Sequence, residues 1–399
     1  MGERYGLFFE EFPADYPEKS RALLTGFALS GIQGYLFGRI NGEWTPAMVR
    51  RASRYVSQAT EAVGAHLVRA MEGYRPHPLM MSSGKGWLLT APGTPLEKLE
   101  RELVRLKRGL FLASGGRLEL EAGTVPVVLV RPGGRRLMGG PWPDGMVQVH
   151  RAMERDKFQS RALFGLDWAR DRMPWLEPAA LLKGEGELLP PPWAQPGLLK
   201  LDLDNLGLFF STFGTVDQRE AAGQALDRAI LGAVTHLEEL YPLFAGGDDL
   251  LLLCPPERAL SVAAALRREL ERQIEGEAAL EAYRPRFGLS CGCLPSFDPR
   301  LPALYYLDRA EGQLELAKAQ GKDRLAMGGR TLSWVQAEEL GRLLEENEYL
   351  FRHLSRSAHH YGAPQLLLQD ILDHSGRDSD RAQARELLAL FGREEVPYG

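Results

Sequence analysis

The chain has 399 residues, 44% of them hydrophobic and 25% charged, which is enough apolar material for two or three buried cores and too much for a chain that stays disordered. Its formal net charge of −5 provides no global cationic field for nucleic acid or a membrane surface, so any nucleic-acid contact is local. Three cysteines, Cys254, Cys291 and Cys293, form an odd set without a C-x-x-C pair; this excludes a disulfide framework and a four-thiolate zinc site and points to a reducing cytoplasm. The opening MGERYGLFFEEF lacks the cationic end and apolar stretch of a signal peptide, and no apolar run approaches the ~20 residues that span a bilayer, so a soluble protein without a membrane partner is expected.

In chain order, LTGFALS (24–30) reads as a strand and 46–72 as a helix. HPLMMSSGKGWLLTAP (77–92) reads as two apolar strands around a glycine turn, followed by a helix over 94–113 and a strand over 117–130. Residues 146–196 read as a partly helical connector that stops at Pro190-Pro191-Pro192 and Gln195-Pro196-Gly197. LLKLDLD (198–204) alternates like a half-buried strand, and the helix over 215–240 lines up Leu226, Ile230, Val234 and Leu237. YPLFA and LLLLC are joined by Gly246-Gly247-Asp248-Asp249, a hairpin turn by composition. A helix over 257–274 with Leu260, Ala263, Leu266 and Leu270 on one stripe and the alternating RFGLSCGCL (286–294) complete the unit.

Both halves therefore read β-α-β-β-α-β, an internal repeat of two ferredoxin-like units in an α+β chain. The first unit takes 1–145 and the second 197–330. A helical module over 331–399 follows, with Leu340, Leu343, Leu344, Ala384, Leu387, Leu388 and Phe391 at helical spacing. Aligning the hairpin ends Ala91-Pro92 and Cys254-Pro255 sets Ser83-Gly84-Lys85-Gly86 opposite Gly246-Gly247-Asp248-Asp249, so the first copy lacks the acidic pair.

A strand's period of two sends Lys200, Asp202 and Asp204 to one face, and the first strand of such a sheet lies beside the hairpin, so Asp248 and Asp249 converge on Asp202. Carboxylates gathered this closely repel one another unless a cation sits among them. With no His or thiolate partner the set suits Mg²⁺ or Mn²⁺ rather than zinc. Gly246 and Gly247 leave room for a phosphate or base near the backbone. Only nine residues are lysine; Lys318 ends a helix, Lys322 follows Gly321, and Lys200 borders the acidic strand, which are point-charge partners for a triphosphate. The chemistry these residues suggest is nucleotidyl transfer, in which a ribose hydroxyl attacks an α-phosphate and expels pyrophosphate. The cysteines, Tyr35, Phe37, Phe209 and Phe210 read as core, and His359, His360, Asp373 and His374 as surface.

These segments together resemble the large subunit of type III CRISPR effector complexes, the palm-domain polymerase/cyclase subunit, and most of all its Csm type. The resemblance rests on LSGIQGYLF (29–37), RRASRY (50–55), KLDLDNLGLFF (200–210), FAGGDDLLLL (244–253) and LAKAQGKDRL (316–325), and covers about 25–330. It implies ATP as substrate, cyclic oligoadenylate as product, and activation when guide RNA pairs with target RNA within a complex of CRISPR effector subunits. It also implies metal ligation by Asp202, Asp204, Asp248 and Asp249, with Asp202, Asp248 and Asp249 catalytic. Nucleotide contacts would come from Ser30, Gly31, Ser83, Lys200, Asn205, Gly207, Gly246, Gly247, Lys318 and Lys322. Three departures qualify it: no histidine is followed by Asp, so an HD nuclease is not expected; the cysteine-rich zinc insertion is missing; and Ala28 stands where the family often has Asp. Two other readings stay open: a scaffold or RNA-binding subunit with weak catalysis, and a free-standing cyclic dinucleotide synthase akin to single-palm GGDEF cyclases.

Overall fold

The computed structural model describes residues 5–17, 20–38, 45–82, 84–130, 144–157, 163, 165–184, 189–247, 249–295, 303–347 and 364–391. The chain divides into two compact units: Met1–Ile40, Met48–Leu188 and Gly207–Ala225 form the first, and Asn41–Ala47, Leu189–Leu206 and Leu226–Gly399 the second.

The first unit contains β1 (Tyr5–Phe8), β2 (Arg21–Ser30), α1 (Ile32–Phe37), α2 (Pro46–Ala70), β3 (His77–Ser82), β4 (Lys85–Thr90), α3 (Leu96–Ala113), β5 (Glu119–Val130), α4 (Asp144–Lys157) and the short α5 (Trp168–Asp171) and α6 (Pro178–Leu181). Its sheet runs β1-β5-β2-β4-β3, in which the last four strands are antiparallel neighbours in the ferredoxin-like order and β1 adds a strand parallel to β5. Phe27, Tyr55, Val63, Leu67, Leu88 and Leu106 close one face beneath α2 and α3. Leu24, Trp87, Leu89, Val149 and Met153 close the other beneath α4. Residues 146–157, read from sequence as part of the connector, thus lie in a core helix of this unit, packed on β2 and β5. Next come α7 (Leu206–Phe210) and α8 (Val216–His236); Val216 joins the core on the α4 side.

The second unit contains β6 (Gly197–Leu203), β7 (Tyr241–Gly246), β8 (Asp249–Cys254), α9 (Ala259–Gly276), β9 (Leu289–Leu294), α10 (Ala303–Ala319), β10 (Leu325–Met327), β11 (Arg330–Leu332), α11 (Trp334–Glu346) and helices over Pro364–His374 and Asp378–Phe391. Its sheet runs β11-β10-β9-β6-β8-β7, again with the ferredoxin-like order at its heart and with β10 added parallel to β9. Both faces of the central strands β6, β8 and β9 are covered, so these are nearly continuous apolar runs rather than half-buried ones, while the edge strand β7 alternates. In β6 only Asp202 escapes full burial, and in β8 only Asp249 does.

Helix α10 lies close on β9 because Gly292 has no Cβ; one placed there would stand 2.7 Å from the Leu314 nitrogen. Gly123 plays the same part under α4, where a Cβ would stand 2.8 Å from the Met153 nitrogen. Helix α11 opens on a capping box between Ser333 and Gln336 and packs on α9 through buried Leu340, Leu343 and Leu344. The last two helices pack on each other around Leu368, Ile371, Ala384 and Leu387. Among the described residues no helix is long and apolar enough to cross a membrane.

Register corrects the alignment of the two hairpins. Both carry an irregularity after the first proline, Pro78/Met80 and Pro242/Phe244. Ser82 pairs with Lys85 as Gly246 pairs with Asp249, and Ala28 pairs with Lys85 as Asp202 pairs with Asp249. Lys85, rather than Gly86, therefore occupies the place of Asp249, and the sequence alignment is one residue off. The cause is a single extra residue after the strand: Thr90 is followed by Ala91-Pro92, Cys254 directly by Pro255.

Candidate active site

Asp202 and Asp249 are direct cross-strand partners near the open ends of β6 and β8. Side chains so placed have Cβ atoms about 4.5–5.5 Å apart, and like charges there are destabilising. Their side chains are 25% and 40% exposed, so the pair meets solvent at the end of an otherwise buried sheet.

Two lysines answer this charge from one side. Lys318, in the last turn of α10, places Nζ 3.4 Å from Asp202 Oδ2 and 3.3 Å from Glu315 Oε1. Burial pulls its ammonium pKa down, but Asp202 and Glu315 outweigh burial and leave it above the ordinary lysine value. Lys200, only 10% exposed, lies 3.9 Å from Asp249 Oδ1 and forms an ion pair with Glu311. Its ammonium is shared between Glu311, the nearer partner, and Asp249. Glu311, Glu315 and Lys318 recur at i, i+4 and i+7 on α10, a helical spacing that the sequence displays and that the reading from composition passed over.

Asp204 departs from the expectation that it shares the face of Asp202. Strand β6 ends at Leu203, and Asp204 turns inward, donating its N–H to the Gly288 carbonyl at 2.9 Å. The residue is 2% exposed, and its carboxylate accepts the Ser290 hydroxyl, which lies 3.0 Å from each oxygen, and the Asp323 N–H at 2.9 Å. A charge buried this deeply needs such donors.

Asn205 and Lys322 both take left-handed backbone, φ 63° in each, and their side chains approach at 3.4 Å; the Asn205 amide also donates to the Arg286 carbonyl at 3.1 Å. Asp323 follows with φ 44°. Three of the four described non-glycine residues with positive φ thus gather at one place, the pattern expected where surrounding contacts hold backbone against its preference. Gly247 has φ 65° with open space where a Cβ would stand, and a Cβ on Gly246 would meet the Phe244 ring at 2.7 Å. Gly207 is exposed at the start of α7.

In the first unit, Ser30 ends β2 and Gly31 takes φ 78°, where a Cβ would meet the Arg117 carbonyl at 2.5 Å. Asp248 and Ser83, along with His359 and His360, lie outside the described residues. Cys254, Cys291 and Cys293 are buried and unpaired, as read; burial holds all three thiols above their usual range, Cys293 at about 12. Tyr35, Phe37 and Phe209 are buried. His374 is exposed and paired with Asp370 at 2.9 Å.

Among the described residues no group of three or more His, Cys, Asp or Glu side chains is arranged to hold a metal ion. The opposed pair still has the donor chemistry for one. It consists of carboxylate oxygens alone, partly open to solvent, with a repulsion that a hard divalent cation would relieve.

Comparison with known proteins bears on the same segment. Residues 195–326 match the family described as Cas10/Cmr2, second palm domain. A curated relative, the CRISPR system single-strand-specific deoxyribonuclease Cas10/Csm1 (subtype III-A) of Thermococcus onnurineus (strain NA1), is 25% identical over 177 residues, covering 37% of this chain and 22% of the relative. Similar folds include a Csm1-Csm4 cassette in complex with cA4 (TM-score 0.61, 17% identity, 93% of this chain and 65% of that one). Another is the cassette in complex with AMPPNP (TM-score 0.62, 17% identity, 92% and 64%). Csm1 of T. onnurineus also matches (TM-score 0.60, 18% identity, 96% and 66%). The chain thus spans about two thirds of the solved chains that it resembles, and at these identities they speak to the fold. The chain is therefore similar to Cas10/Csm1: residues 195–326 match the second palm domain of the Cas10/Cmr2 family, and the fold matches that of Csm1 over most of the chain.

Proposed function

We propose that the second unit is a nucleotidyl cyclase that joins ATP into cyclic oligoadenylate. The observation that carries this reading is the opposed Asp202–Asp249 pair at the open end of a buried palm sheet, with Lys318 at 3.4 Å from Asp202. Support comes from relatives solved with AMPPNP and with cA4.

In this reading Asp202 and Asp249, with Asp248, would hold Mg²⁺ or Mn²⁺. A cation bound there lowers the pKa of a ribose hydroxyl and stabilises charge on the phosphate oxygens. Lys318 and Lys322 neutralise the triphosphate, and the bare backbone at Gly247 gives it room to approach. The ribose 3′ oxygen bonds to the α-phosphorus, the bond from that phosphorus to the bridging oxygen breaks, pyrophosphate leaves, and the hydroxyl proton passes to Asp249 or to water. Ser30, Gly31 and Ser83 are assigned to a nucleotide held by the first palm, which is not itself catalytic because Ala28 and Lys85 stand in the places of Asp202 and Asp249. Partner subunits of a CRISPR complex and guide and target RNA are proposed as the setting and the trigger.

The test is pyrophosphate release from Mg²⁺/ATP, with and without target RNA, and mass spectrometry of the products. A double Asp248→Ala, Asp249→Ala variant should lose at least 10³-fold in rate, about 4 kcal/mol of transition-state stabilisation. Equal turnover in wild type and variant, or no ATP consumption under any condition, would leave the scaffold reading.

A further inference from the structure

The end of β6 and the turn after α10 are tied by a polar knot, buried at Asp204 and Ser290, that the proposed chemistry does not use. The Asp204 carboxylate receives the Ser290 hydroxyl and the Asp323 N–H, and its carbonyl receives the Tyr283 hydroxyl at 2.7 Å. The Asp323 carboxylate is gripped in turn by Arg267 of α9 through Nε at 2.9 Å and Nη2 at 3.0 Å. It also receives the Leu289 N–H and the Trp334 indole N–H of α11, each at 3.1 Å. Four elements of the unit therefore converge on the segment Gly321–Arg324, where Gly321, Lys322 and Asp323 hold φ of 117°, 63° and 44°.

That turn carries Lys322 and directly follows the helix end that presents Lys318. A carboxylate held by the Ser290 hydroxyl across both oxygens and by the Asp323 N–H, in a residue only 2% exposed, leaves a cation no open approach. A left-handed run through two non-glycine residues reverts to ordinary backbone when its tethers are cut.

We propose that Asp204 is a positioning residue rather than a metal ligand: through Asp323 it latches the lysine turn, so that Lys318 and Lys322 are set for an anionic phosphate chain beside Asp202. This rests on the cyclase reading for its ligand, but the latch has a readout independent of that reading.

The experiment compares wild type with Asp204→Asn, Trp334→Phe and Asp249→Asn by three measurements on the full chain. These are amide hydrogen exchange of the 320–325 segment, Mn²⁺ affinity without nucleotide, and KM and kcat for ATP. Asp204→Asn should speed exchange of the turn at least tenfold, raise KM about fivefold or more with a smaller change in kcat, and leave the Mn²⁺ affinity within twofold. Trp334→Phe, which keeps the ring and removes one donor, should shift exchange and KM the same way by less, and it carries the test if Asp204→Asn fails to fold. Asp249→Asn should lose Mn²⁺ and leave the turn protected. Loss of Mn²⁺ in Asp204→Asn with the turn still protected would overturn the proposal, and so would unchanged exchange in both latch variants. If wild type takes neither Mn²⁺ nor ATP, the cyclase reading fails by itself while the exchange arm still decides the latch.

Discussion

Neutralising one acid of the opposed pair should leave the stability of the metal-free protein nearly unchanged while removing its response to metal. Asp202 and Asp249 face each other across neighbouring strands, and carboxylates about 6 Å apart at an effective dielectric of about 40–80 repel by about 0.7–1.4 kcal/mol. On the same scale Lys318 at 3.4 Å from Asp202 and Lys200 at 3.9 Å from Asp249 attract by about 1–2 kcal/mol each, which cancels the repulsion and leaves the charge of Asp249 within about 1 kcal/mol of neutral for stability. Asp249→Asn keeps the shape of the side chain and removes the charge. In EDTA it should melt within about 3 °C of wild type by calorimetry. In Mn²⁺ the two separate, because wild type gains about 2.7 kcal/mol at a hundred times its dissociation constant and the variant gains little. A variant that gains as much from Mn²⁺ as wild type does would refute the reasoning, since the pair would then not be the metal site.

Gly292→Ala should destabilise the second unit by about 1–3 kcal/mol, read as a lower denaturant midpoint, because its Cβ would press on the α10 backbone at Leu314. The three thiols, raised by burial, should be inert to a thiol reagent at pH 8 in the native protein and react at once when it is unfolded; a fast-reacting native thiol would contradict their placement. Burial pushes the Asp380 carboxyl up, but bonds from Ser375 and Asn347 and the charge of Arg377 outweigh it and hold the pKa below the ordinary value. A depressed carboxyl stabilises the fold above its unfolded pKa and loses that contribution as pH falls through its folded one. Acid loosening of the helix pair over 364–391, followed by hydrogen exchange, should thus be smaller in Asp380→Asn, which starts less stable at pH 7.

The repeat was legible because each unit sets its strands and helices in the same order, with two prolines, Pro78 and Pro242, marking the same irregular step. Asp202 was legible from alternation, and Lys318 from its scarcity and its place at a helix end. Alternation failed one step later: it holds only inside a strand, and β6 stops at Leu203, so Asp204 turned inward instead of following Asp202. The hairpin alignment failed because a residue added after a strand shifts the proline that follows without shifting the strand itself. Arg267, Asp323, Ser290 and Trp334 were not legible as a group. They come from four separate elements, and only the packing of α9, β9 and α11 around one turn brings their polar atoms together.

The central claim, that the acids of β6 and β8 share one cation beside a nucleotide, is tested most directly by anomalous diffraction from crystals grown with Mn²⁺ and AMPPNP. The account predicts a manganese peak between the carboxylates of Asp202 and Asp249, about 2.0–2.2 Å from an oxygen of each, with the phosphate chain toward Lys318. A nucleotide bound without metal at that pair, or manganese bound elsewhere with Asp202 still held by Lys318, would contradict it.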